Sequence, residues 1–161
     1  MAKNYLHIPA IGQLDNTACW AASLKWWYRA TKSVYKSQKQ LIGKYNYLTD
    51  EFGGMSIQGM ERLIELNNMT KQVFRQASQF TPDALWQHLK KGPVFVAFTE
   101  TAFNMQHVNV VWDLAGVSNV TVKVMEPQAA ENADKLTYRG EHQIKKFSEF
   151  NQLGTVIVGS I

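Results

Sequence analysis

The hydrophobic period of this chain changes once, at Gly92-Pro93, and that change limits the folds open to it. Upstream, apolar residues recur at helical spacing: Trp20, Leu24 and Trp27 with Ala21 and Tyr28 beside them, then Ile57, Met60, Leu63 and Ile64, then Leu85, Trp86 and Leu89. Downstream, residues 94–99 are a nearly continuous apolar run, as expected of a buried strand. Strands over 107–114 and 120–126 follow, joined by 115–119, with further strands over 135–139 and 155–161. Helices first and an antiparallel sheet after them make an α+β fold, with an N-terminal helical half packed on a C-terminal sheet.

Boundary residues sharpen this outline. Asn16 or Thr17 can cap a helix that carries Cys19 in its first turn and runs to about residue 31. Residues 37–45 read as a short helix with Leu41 and Ile42 inward, and Gly53-Gly54 breaks an irregular stretch over 47–55. Ser56 caps an amphipathic helix to about residue 67, and 72–74 is a short extended piece. Thr81-Pro82-Asp83 starts another helix, with Thr81 as N-cap and Pro82 at the first helical position. Residues 147–150 read as a helical turn, and 1–11 as an extended arm with Tyr5, Leu6 and Ile8 available to pack on the body.

A length of 161 residues without repeats or linkers indicates one domain over 1–161. The single cysteine excludes an internal disulfide and a cysteine-rich metal site. No run of about 18 apolar residues marks a membrane span. No apolar segment precedes Pro9 and Gly12, so no Sec signal is expected, and the location is cytoplasmic or reached by a non-Sec route. The net charge of +4 favours acidic partners. The densest lysines, around Lys36, read as a solvated face, and no nucleic-acid motif accompanies them.

Chemistry concentrates around Cys19. A cysteine in the first turn of a helix meets unpaired N–H groups and a partial positive charge, which stabilise a thiolate and can hold an oxyanion. Gln13, six residues upstream, can supply a second oxyanion donor from its side-chain amide. A nucleophilic cysteine needs a base, normally histidine. Four are present: His7 in the arm, His88 on the outer side of the helix that starts at Thr81, His142 in a polar stretch, and His107 opening an apolar strand.

The window around Cys19 resembles that of the papain-like cysteine peptidases, whose nucleophile lies in C-G-[SA]-C-[WY]. Here residues 16–20 read N-T-A-C-W: Ala18, Cys19 and Trp20 match, and Asn16 and Thr17 depart. Those departures point to the compact bacterial relatives, the C39-like domains and the AvrRpt2-type effector peptidases. The 88 residues from Cys19 to His107 also suit the smaller forms. The resemblance runs over about residues 12–126 and implies a papain-like fold.

The resemblance further implies Cys19 as nucleophile and His107 as base. It implies an oxyanion hole from the Gln13 amide and the Cys19 N–H, a peptide or protein substrate, and no metal or cofactor. The family's third group is Asp or Asn in a D-P or N-P pair after the next strand, where this sequence has Glu126-Pro127. A turn centred on Gly116-Val117 sets Glu126 directly opposite His107. Asp113 lies about 20 Å along the strand from His107 and is rejected, and Asn109 is read as lining the groove. Trp26, Trp86 and Trp112 are read as core residues before pocket walls. A hydrolase cutting a peptide or isopeptide bond, in the manner of a bacterial effector or toxin, is the expected activity. A non-catalytic peptide-binding module and an acyl transferase of transglutaminase type are the rival readings.

Overall fold

The structure, a computed structural model, describes residues 4–102 and 104–161. The first three residues of the arm lie outside it. Among the described residues four α-helices, α1 (Cys19–Lys32), α2 (Gln38–Tyr45), α3 (Ile57–Leu66) and α4 (Pro82–Leu89), pack on one sheet. Its strands are β1 (Thr70–Phe74), β2 (Val94–Glu100), β3 (Met105–Ala115), β4 (Thr121–Glu131), β5 (Tyr138–Lys146) and β6 (Val156–Ser160). The order across the sheet is β1-β6-β2-β3-β4-β5, with every neighbouring pair antiparallel.

Both faces of the sheet are covered, which is why β2 is apolar without alternation. One face carries Phe95, Ala97, Val108, Val110 and Met125 against α1, whose Trp20, Leu24, Trp26 and Trp27 are fully buried. The other carries Val96, Phe98, Val111 and Val124 against Leu85 of α4 and the rings of Phe80, Phe147 and Phe150. Full burial of each large α1 side chain stabilises the fold by about 1.5–3 kcal/mol. Trp27 also donates from Nε1 to the Pro93 carbonyl at 3.0 Å, tying α1 to the start of β2.

Several expectations are corrected. α1 begins at Cys19 itself, with Ala18 at the N-cap and no side-chain cap. The reason is Asp15, whose carboxylate takes both the N–H and the hydroxyl of Thr17 at 2.8 Å and so removes that residue as a cap. On α4 it is Trp86 that is exposed and His88 that is buried. The His88 ring lies between Ser160 Oγ at 2.7 Å and Gln72 Oε1 at 2.9 Å, which satisfies both nitrogens inside the fold. In the arm, Tyr5 and Ile8 are buried but Leu6 is exposed. β5 starts three residues later than expected and runs longer, because this edge strand is polar and offers no apolar pattern to read.

The β3–β4 register also differs from the expected one. The connecting loop spans 116–120, opened by Gly116 at φ +91°, and a bulge at Trp112 shifts the pairing once more. Val110 therefore faces Met125, and one residue further Glu126 comes opposite Asn109 rather than His107. The slip is two residues, an even number, so Glu126 keeps the face it shares with His107.

Candidate active site

Cys19 is the first residue of α1 and is 7% exposed. The first intrahelical bonds start at Ala21 and Ala22, both to the Ala18 carbonyl, so among the described residues the Cys19 and Trp20 N–H groups have no partner. Cys19 and His107 line the same cavity, and the sulfur is near enough to raise the pKa of the His107 imidazole. Nε2 of that ring meets the Glu126 carboxylate at 2.7 Å to Oε2 and 3.0 Å to Oε1. That leaves Nδ1 free of the carboxylate, and the three side chains come from a helix end and two strands to one cavity wall. The Phe98 ring, cross-strand from His107 on β2, packs edge-on against the imidazole at 5.7 Å between centroids.

Length explains why a glutamate can stand at this position. His107 and Glu126 are diagonal rather than opposed, about 7–8 Å apart between backbones, a distance that long side chains span. The carboxylate is also held from both sides. Asn109 Nδ2 donates to Oε2 at 3.0 Å, and Lys145 Nζ on β5 donates to Oε1 at 2.9 Å. Asn109 is fully buried and does not line a groove, which corrects the expectation for it. Sequence reasoning missed Lys145, because β5 itself carried no readable signal.

The pair is ionised across the neutral range. Burial pushes His107 down, but the nearby Cys19 sulfur and then the hydrogen bond and charge of Glu126 hold its pKa up at about 10. Burial pushes Glu126 up, but the hydrogen bond and charge of His107, followed by Lys145, hold its pKa down at about 2.

Gln13 is placed by its backbone. Its N–H donates to the Pro127 carbonyl at 3.0 Å, and its carbonyl accepts from the Tyr138 N–H at 2.9 Å. Gly12 allows this crossing, since a Cβ there would strike the Tyr138 carbonyl. The Gln13 side chain is fully buried, and its Nε2 donates to the Asp15 carbonyl at 2.7 Å. An amide nitrogen carries two hydrogens, so one remains for another acceptor.

Cys19, His107 and Glu126 line a cavity of about 940 Å³ together with Met55, Met60, Met105 and Tyr138. Its other charged lining residues, Asp50, Glu100 and Glu131, are acidic, so the positive net charge of the chain lies away from the cleft. The remaining histidines lie elsewhere: His7 is exposed, His88 is locked to Ser160, and His142 donates to the Ile8 carbonyl between Trp26 and Trp112. Trp26 and Trp112 are buried in the core, and Trp86 is on the surface. Asp113 pairs with Lys123. Among the described residues no cluster of His, Cys, Asp and Glu is suited to a metal ion, and no helix is long and apolar enough to cross a membrane.

A thiol and an imidazole on one cavity wall, the imidazole on a carboxylate and free N–H groups at the thiol are the parts needed for acyl transfer. Over residues 3–149 the sequence matches the family described as papain-like cysteine protease AvrRpt2. The chain belongs to the AvrRpt2 family of papain-like cysteine proteases. Its fold is similar to the solved peptidase domain of Streptococcus ComA, a bifunctional ABC transporter involved in a quorum-sensing pathway. The TM-score is 0.60, with 14% identity over 96% of this chain and 100% of that one. That likeness supports the papain-like α+β fold. No curated protein matches this AvrRpt2-family chain. Membership makes peptides or proteins its class of substrate.

Proposed function

We propose that the chain hydrolyses a peptide or isopeptide bond through a Cys19–His107–Glu126 triad. What supports this is the His107–Glu126 hydrogen bond on the wall of an open cavity that the Cys19 thiol, at a helix N-terminus, also lines. The Cys19 thiolate adds to the scissile carbonyl carbon. The oxyanion is taken by the Cys19 N–H and the free hydrogen of the Gln13 amide. His107 gives its proton to the leaving amine as the C–N bond breaks, leaving an acyl-thioester. Water then attacks that ester, His107 accepts the water proton, and the thiolate leaves. Glu126 keeps Nε2 protonated and Nδ1 turned to the sulfur. No step calls on a metal or cofactor.

Membership in the AvrRpt2 family also supports a role as a bacterial effector or toxin. The experiment for the chemistry is turnover of a fluorogenic peptide library by the parent, Cys19→Ala and His107→Ala, with product masses read in the presence of an added amine. Cleavage lost in both variants, with water as acceptor, supports the proposal. Cleavage retained in either variant overturns it, and amine-bearing products make the enzyme a transferase.

A further inference from the structure

Glu126 has more partners than the orientation of one imidazole requires. Besides His107, its carboxylate accepts from Asn109 Nδ2, from the Gln128 N–H at 3.3 Å and from Lys145 Nζ at 2.9 Å. The lysine is the unexpected member. Its side chain is 13% exposed, while the apolar Ile144 next to it is 71% exposed. Successive strand residues point to opposite faces, so β5 turns its charge inward and its branched apolar side chain outward. Stability alone favours the reverse, since a buried ammonium loses hydration and rotamer freedom.

The charges on the line explain the inversion. When Cys19 is a thiolate, the order Cys19, His107, Glu126, Lys145 reads negative, positive, negative, positive, and the sum is zero. None of the four is more than 13% exposed. Without the ammonium the same buried set carries one net negative charge, which a low-dielectric site tolerates poorly. The other ionisable group in register with Glu126 is Glu141 on β5, and its carboxylate is taken by Arg139 at 2.7 Å. The Lys145 ammonium also lies 5.9 Å from the centroid of the Phe150 ring.

We infer that Lys145 is a positioning residue of this site, holding the Glu126 carboxylate at the diagonal from which it orients His107 and closing the buried line of alternating charge. The inference rests on the peptidase reading above. The test compares the full chain with Lys145→Gln, which keeps a donor but drops the charge, and Lys145→Arg, which keeps both. The expected result for Lys145→Gln is about a tenfold lower kcat with KM unchanged. The Glu126 carboxyl, read by NMR in 13C-glutamate-labelled protein, should titrate about one pH unit higher. Lys145→Arg restores both. Lys145→Met repeats the comparison should Lys145→Gln fail to fold. A lysine that merely braces β5 would lower Tm and leave kcat of the folded fraction within twofold of the parent, which overturns the inference while the triad stands. Lys145→Arg behaving as Lys145→Gln overturns the role of the charge. A parent whose Cys19 alkylates at the same rate with and without His107 overturns the peptidase reading, and this inference falls with it.

Discussion

The change Glu126→Asp installs the carboxylate more usual in papain-like enzymes, and here it should damage the site. The β3–β4 register sets position 126 beside Asn109 and one diagonal away from His107. Removing a methylene draws the carboxylate back by about 1.5 Å. A 2.7 Å contact with His107 Nε2 then opens to about 4 Å, beyond hydrogen-bond range. The shorter side chain stays with Asn109, its register neighbour. A hydrogen bond between charged groups is worth about 1.5–3 kcal/mol, so kcat should fall roughly 10- to 100-fold if that bond orients the base in the transition state. The assay is kcat and KM on a cleaved peptide, with a thermal melt to confirm that the variant is folded. KM should move little. A Glu126→Asp enzyme with parental kcat would show that the register is not what selects glutamate, and the diagonal argument would fail.

Other outcomes follow from the same geometry. The depressed Glu126 pKa contributes stability that is present above about pH 4.5 and lost as pH falls through about 2. The raised His107 pKa contributes stability that is present below about pH 6.5 and lost as pH rises through about 10. Tm against pH should therefore be flattest between those two unfolded values, and Glu126→Gln should blunt both slopes. Gln13→Ala should lower kcat about 100- to 1,000-fold with the fold retained, as expected for an oxyanion donor, and an unchanged kcat removes Gln13 from that role. Gly12→Ala should lower both Tm and turnover, because its Cβ meets the Tyr138 carbonyl. The helical Gly43→Ala, with nothing within 4 Å, should raise stability by roughly 1 kcal/mol. Trp27→Ala should cost about 3–5 kcal/mol by cavity formation, read from chemical denaturation.

The parts legible in the sequence are those fixed by short-range chemistry. Ser56 and Thr81 cap α3 and α4 by accepting the Gly59 and Ala84 N–H groups, and residues 94–99 form the core of β2. The positions of Cys19 in the first turn of α1 and of His107 near the start of β3 were legible for a related reason, since both have distinctive neighbours. The errors arose where a distant or competing partner decides. Thr17 has a cap's chemistry but is captured by Asp15, two residues away. His88 turns inward because Ser160, from the last strand, completes its hydrogen bonding. The bulge at Trp112 has no local residue signature, yet it sets which residue Glu126 faces. Lys145 has no local signature, because its partner comes from another strand and β5 alternates without an apolar face.

The central claim is that Cys19 and His107 act as one chemical unit. Its most direct test is the rate of iodoacetamide alkylation of Cys19 across pH, in the parent and in His107→Ala. The account predicts a parent thiol that alkylates rapidly at neutral and mildly acidic pH and slows markedly when His107 is removed. A thiol that stays inert until alkaline pH, or alkylates at the same rate in both proteins, would contradict it.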